Sequence, residues 1–221
     1  MSSADSLVTE IKDVLDGVQP SRRTAILRDM TDLFLEGVEV YSKEQIAVFG
    51  EALSAVVDHA ERDELIELSK RLLPCAKAPS AVMRKLASNT DMKISSAVLE
   101  QCMVLTDEDL AEVAATATSV QLMLIAGRDG IGESVTDALI NRGDIEVMRK
   151  FVVNDNARVS HIGFVKLINA AKRDGSLTEI VASRMDLPEE LKPFIGMLRR
   201  SSEAAQASAQ QAGVQSVAAA G

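Results

Sequence analysis

The chain has 221 residues, of which 47% are hydrophobic and only 3% aromatic, a composition that favours packed helices over a β-sandwich or barrel. Its 12 glycines and five prolines are too few for a collagen-like or broadly disordered chain. The net charge of −9 argues against a nucleic-acid-binding surface, which usually needs positive charge to replace counterions on phosphates.

The first residues predict a cytoplasmic protein that begins with a helix. The opening MSSADSLVTEIKD has neither the basic start nor the apolar core of a signal peptide. We find no apolar run of membrane-spanning length, so no membrane insertion is expected. The two cysteines cannot form a disulfide framework and are expected to be reduced. Apolar residues at helical spacing from Leu7 to Leu15 predict the first helix, which Gly17 closes.

Three further helices are predicted before the proline pair at Pro74 and Pro79. One ends at Gly37, one opens with a capping box of Ser42 and Gln45, and one ends against Pro74. Each carries an apolar stripe about one face wide, so the helices must cover one another. We predict that residues 1–78 form an acidic N-terminal helical module.

The stretch 79–200 repeats a local pattern, in which an apolar helix end leads into a polar turn containing Asn or Arg and Asp. These helix ends, at Leu86, Ile125, Val152 and Val181, are separated by 39, 27 and 29 residues. A single helix pair of this length cannot bury its own stripe, so we predict an α-solenoid of HEAT-like helix pairs over 79–200. The tail at 201–221 is uncharged from Ala204 onward and is predicted to be disordered.

Capping signals fit these helices. Thr106 and Asp109 are spaced as a capping box, and Asp144 precedes a helix that carries an apolar stripe. Gly127 and Gly143 stand where two helices end, a position that often needs a left-handed residue.

Six segments resemble a known bacterial family, and the Gly-Arg and Arg-Gly-Asp turns among them are the most specific. The segments are Arg28-Asp-Met-Thr-Asp-Leu-Phe34, Val104-Leu-Thr-Asp-Glu-Asp-Leu110, Leu124-Ile-Ala-Gly-Arg128, Val135-Thr-Asp-Ala-Leu139, Arg142-Gly-Asp144 and Asn154-Asp-Asn-Ala-Arg158. The family is a domain of unknown function with HEAT-like or leucine-rich-variant helical repeats, and the resemblance covers roughly residues 20–200. It implies an α-solenoid, and it implies no activity, cofactor or catalytic residue.

The reactive side chains do not form a recognisable catalytic or metal-binding pattern. His59 and His161 lie about a hundred residues apart, and no base is placed beside Cys75 or Cys102. The acidic run at 107–109 falls in the first turn of a helix, where the helix dipole favours negative charge. We therefore predict a protein that is not an enzyme and that needs no metal or cofactor.

Basic residues in the repeats are the remaining candidates for a functional surface. In a solenoid they could line one edge or the concave face and bind an acidic or phosphorylated protein segment. Internal pairing with neighbouring aspartates is the other interpretation. The predicted partner-binding residues are Gln121, Arg128, Arg149, Lys150, Arg158 and Arg184.

The leading functional hypothesis is a non-enzymatic helical-repeat scaffold that binds another protein through its extended or concave surface. The alternative is a nucleic-acid-binding or base-repair protein of HEAT-like fold, which the possible arginine stripe suggests. The absence of Trp and the single Tyr leave little for stacking on bases, so nucleic acid is the less favoured partner.

Overall fold

The computed structural model describes residues 19–201, and every regular element in that part of the chain is helical. The prediction of an all-α fold is confirmed for these residues. The helix predicted around Leu7–Leu15 and the predicted tail from residue 202 onward lie outside the described residues, so both stay predictions.

The chain divides between Ile125 and Ala126 into two compact units. The first contains α1 (Pro20–Gly37), α2 (Lys43–Val57), α3 (Arg62–Leu72), α4 (Ser80–Ala87), α5 (Met92–Gln101), α6 (Asp107–Thr116) and α7 (Ser119–Ala126). Ala126, the last residue of α7, belongs to the second unit. The second contains α8 (Glu133–Arg142), α9 (Ile145–Val152), α10 (His161–Ala171), α11 (Gly175–Ser183), a 3-10 turn (Glu189–Leu191) and α12 (192–201).

Three helix starts carry the caps that the sequence predicts. Ser42 and Gln45 form a complete capping box on α2, as Thr106 and Asp109 do on α6. The Asp144 carboxylate accepts backbone N–H bonds at the start of α9. These caps satisfy amide groups that the first turn of a helix leaves without partners.

The predicted left-handed glycines are half right. Gly143 ends α8 with φ of 74°. The other glycine with positive φ is Gly130, at 71°, so the prediction for Gly127 is wrong. The left-handed glycine comes four residues after Ala126, in the turn that precedes α8.

In the first unit, helices two apart in the chain pack against each other: α2 against α4, α3 against α5, and α4 against α6. Leu53, Leu72 and Met83 are completely enclosed between them. Gly50 of α2 lies so close to Pro79 that a Cβ there would come within 2.9 Å of the proline Cβ. The predicted boundary between residues 78 and 79 therefore falls inside this unit.

In the second unit the same relation recurs. Helix α8 packs against α10, and α9 packs against α11, in addition to contacts between consecutive helices. Phe151 of α9 and Phe164 of α10 are fully buried in this core. Packing between alternate helices leaves one face of α4 and one face of α9 for polar residues.

Candidate functional site

A tetrapeptide, Val-Met-Arg-Lys, occurs at Val82 in α4 and again at Val147 in α9, 65 residues later. In both helices the Val and Met are buried, whereas the Arg and Lys keep exposed surface. The repetition is visible in the sequence itself. Alignment of the helix ends hides it, because that alignment pairs Leu86 with Val152. The repeated tetrapeptide instead pairs Leu86 with Phe151, one residue earlier.

The arginines of the two motifs make matching ion pairs, each with an aspartate 25 residues later in the sequence. Arg84 Nε lies 3.2 Å from Asp109 Oδ1, in the capping box of α6. Arg149 pairs with Asp174, which caps α11, and its Nη1 lies 2.7 Å from Glu146 Oε1. In both units, the arginine of the motif helix therefore pairs with the aspartate at the start of a later helix.

The electrostatics of the Asp174 pair reflect these contacts. The backbone N–H of Leu177 and the Arg149 guanidinium hold the pKa of Asp174 below its ordinary value of 3.8. Asp174 in turn raises the pKa of Arg149 above its ordinary value. Arg149, predicted as a partner-binding residue, is thus already engaged inside its own unit.

Gln121 and Arg184 are buried and hold backbone carbonyls at the ends of the two motif helices. Gln121 Nε2 donates to the carbonyls of Ala87, at 3.3 Å, and Asn89, at 2.9 Å. Arg184 makes the same kind of contact in the second unit. Its Nη1 donates to the carbonyls of Val152, at 2.9 Å, and Asn154, at 3.1 Å, which lie 65 residues after Ala87 and Asn89.

This burial corrects two of the predicted binding residues. Gln121 is 1% exposed, and the Arg184 side chain is 3% exposed. A partner cannot reach either side chain without unfolding the turn that it holds. The sequence shows only that they are polar; their enclosure depends on how the helices meet.

The other predicted binding residues occupy different settings. Lys150 is exposed and makes no ion pair within residues 19–201. Arg158 is exposed, and its carbonyl accepts a bond of 2.8 Å from Thr136 Oγ1. Arg128 is half-buried, and its carbonyl accepts from Asn154 Nδ2 at 2.7 Å. These three residues stay candidates for a surface contact.

A groove of about 920 Å³ lies in the first unit over the Arg84 and Lys85 side chains, and we call it the polar groove. Its apolar lining residues are Ala55, Val57, Leu65, Ala81, Leu86 and Val113. The charged residues that line the polar groove are Glu51, Asp58, Arg84, Lys85 and Glu112.

Four of the five charged residues that line the polar groove are paired with one another. Lys85 Nζ donates to the Ser54 carbonyl at 2.8 Å and pairs with Asp58. Arg84 Nη1 lies 3.1 Å from Glu112 Oε2, whose side chain is 70% exposed. An exposed pair of this kind contributes about 0–1 kcal/mol, so a competing carboxylate or phosphate can replace Glu112 at little cost.

The described residues offer no metal centre. No group of three His, Cys, Asp or Glu side chains in residues 19–201 is arranged to hold a metal ion. His161 Nδ1 lies 3.6 Å from Glu190 Oε1, both on exposed side chains. Cys102 is buried and Cys75 is half-buried. Between residues 19 and 201 no helix has the length and apolar character to cross a bilayer.

Comparison with known families gives a match. A family model described as "Uncharacterised protein conserved in bacteria (DUF2336)" matches residues 94–219, more than half of the chain. The matched stretch includes Asp109, the second Val-Met-Arg-Lys motif and Arg184. Comparisons with curated proteins and with solved structures give no match.

Proposed function

The chain belongs to that bacterial family, and we propose that it works as a non-enzymatic helical-repeat scaffold that binds a segment of another protein in the polar groove. The observation that carries the proposal is the groove itself: about 920 Å³ of open concave surface with an apolar floor and exchangeable charges. Most of its lining precedes residue 94, so the proposal concerns this chain rather than the whole family.

The packing pattern supports a scaffold. Stacked helix pairs of HEAT-like solenoids place each helix against the one two positions later, and they present extended surfaces for partners. The contacts of α2 with α4, α3 with α5 and α9 with α11 follow that rule. We propose a solenoid-like stacking within each unit on this ground.

The partner chemistry follows from Arg84. Its side chain is 42% exposed, and a guanidinium can bind a carboxylate or phosphate through two parallel hydrogen bonds. An acidic or phosphorylated residue of the partner would take the place of Glu112, while Asp109 keeps the guanidinium oriented. Apolar residues flanking that acid would then contact the floor of the polar groove.

The nucleic-acid alternative receives less support. Arg84, Arg149 and Arg184 are each engaged by an acid of their own unit. Phosphate backbones bind through many unpaired cations at once, which these arginines do not supply.

Site-specific photo-crosslinking in bacterial cells tests the proposal. Benzoylphenylalanine at Ser88, an exposed residue lining the polar groove, should capture a discrete protein partner. The matched control is the same group at Ser134, which is exposed on α8 outside the groove. The capture should be lost when Arg84→Gln is added.

Two results would contradict this function. The first is equal capture of the same proteins from Ser88 and Ser134. The second is capture at Ser88 that survives Arg84→Gln, because the proposal requires the guanidinium to bind the partner.

A further inference from the structure

A second groove, of about 470 Å³, lies in the second unit between α10 and the 3-10 turn followed by α12. We call it the apolar groove. Phe194 and Met197 are 51% and 50% exposed on one wall, and Val165 is 41% exposed on the other. The polar residues among its lining are Asn169 and Lys172. Contiguous apolar surface of this kind usually marks an interaction site.

We propose that residues 202–221 of the same chain, which we call the tail, cover the apolar groove. This inference is independent of the polar groove and of the partner proposed for it. It rests on three observations: where the tail starts, how far the family match extends, and what the tail is made of.

The tail follows directly on a helix that lines the groove. Helix α12 supplies Phe194, Met197 and Leu198 to the lining and includes residue 201, the last described one, so the tail begins four residues after Leu198. Eleven residues separate Glu203 from Val214 and can span up to roughly 40 Å when extended. Val214 and Val217 can therefore turn back and reach the groove.

The family match runs past the last described helix to residue 219. The match therefore takes in residues 202–219 of the tail together with α10 and α12, the helices that line the apolar groove.

The composition of the tail fits an apolar surface. From Ala204 to Gly221 it contains only Ala, Gln, Ser, Gly and Val, so docking would bury no charge. It has too little apolar bulk to fold by itself, and the groove supplies the missing partner surface.

Photo-crosslinking on the full chain tests the assignment. Benzoylphenylalanine in place of Phe194 should crosslink to a peptide from 202–221 within the same molecule. The control is the same group at Met185, which is 99% exposed and does not line the apolar groove; it should give no such product. Mass spectrometry of a mixture of heavy and light protein separates crosslinks within one molecule from crosslinks between two.

Each other product overturns the proposal. Mixed heavy–light crosslinks would identify a second copy of the chain as the occupant. A crosslink to residues 1–18 would identify the opposite end of the chain. Absence of any crosslink would mean that the groove is left open.

Hydrogen exchange of full-length variants gives a second measurement. Val214→Asp with Val217→Asp should speed exchange in α10 and α12, because the apolar contact is lost. Gln210→Asp with Gln211→Asp adds the same charge to the tail but should leave exchange unchanged. Equal exchange in the two variants would overturn the proposal even if both fold normally. A negative result in this experiment would not contradict the proposed function, because none of these substitutions alters a residue of the polar groove.

Discussion

Two arginines of the second unit, Arg158 and Arg184, have different surroundings. Arg184 is enclosed and donates to backbone carbonyls of residues 152, 154 and 157, and also to Asp186. Arg158 is exposed. A guanidinium carries five donors in a fixed plane, which suits it to holding several carbonyls of one turn. The burial of the side chain therefore decides whether an arginine stabilises the fold or is available for binding.

Replacing Arg184 with Met should destabilise the protein strongly. The carbonyls of Val152 and Ala157 would lose their donor while staying buried, and each buried polar group left without a partner typically costs about 1–3 kcal/mol. Urea unfolding followed by circular dichroism measures the change. Arg158→Met is the matched control, and as a surface substitution it should stay within about 0.5 kcal/mol. Similar stabilities for the two variants would show that the Arg184 bonds do not hold the turn.

The Asp174 carboxylate should make stability depend on pH. Its folded pKa lies below its ordinary value of 3.8, so it stabilises the fold at neutral pH. This stabilisation should disappear as the pH falls from about 4 through the folded pKa.

Asp174→Asn tests that dependence. Asparagine caps a helix about as well as aspartate, but it neither titrates nor forms an ion pair with Arg149. The variant should be less stable than the wild type at pH 7, and the two should converge towards pH 2 in urea unfolding measured across that range. Parallel curves for the two proteins would contradict the prediction.

At the scale of elements, close packing overrides local preference. Gly50 lies in the interior of α2, where glycine is unfavourable by about 1 kcal/mol relative to alanine. A Cβ at this position would lie 2.9 Å from the Cβ of Pro79. The glycine allows α2 and the start of α4 to approach each other.

Gly50→Ala should therefore destabilise the protein despite its better helix propensity. Overpacking of this kind typically costs about 1–3 kcal/mol, more than the gain in propensity. Gly196→Ala in α12 is the control, because its Cβ would find its nearest neighbour, the end of the Arg200 side chain, at 3.5 Å. It should stabilise by up to about 1 kcal/mol. Thermal unfolding of the two variants would refute this argument if both shifted in the same direction.

At the scale of the whole molecule, each compact unit contains the same local arrangement. The Val-Met-Arg-Lys helix, the arginine pair with an acid 25 residues later and the side chain that holds two carbonyls all recur. In both turns an asparagine, Asn89 or Asn154, accepts the backbone N–H two residues later. The recurrence indicates that the two units are built on one plan.

The charge of the whole chain leads to a prediction about nucleic acids. With a net charge of −9 and its motif arginines paired internally, the protein should show no binding to a 20-base-pair duplex in 150 mM KCl by fluorescence anisotropy. Lowering the salt concentration should reveal weak binding at most. Micromolar or tighter affinity that falls steeply with salt would instead support the nucleic-acid alternative, since that slope reports phosphate contacts.

The amino-acid sequence by itself determined the all-helical class, several of the helix limits and three caps. These features depend on neighbours within about four residues: apolar spacing, a Ser or Asp before a helix, or a glycine after one. Even there, the sequence did not show that Gly130, rather than Gly127, takes the left-handed conformation, because several glycines in one turn offer the same local signal.

Only the tertiary structure decided which polar residues are accessible and where the compact units divide. Gln121 meets Ala87 across 34 residues, and Arg184 meets Val152 across 32. Burial and ion pairing arise from such distant contacts, whose partners no local pattern specifies. The division between Ile125 and Ala126 likewise depends on which helices pack together. The prolines at 74 and 79 lie within the first unit, where α2 packs against α4.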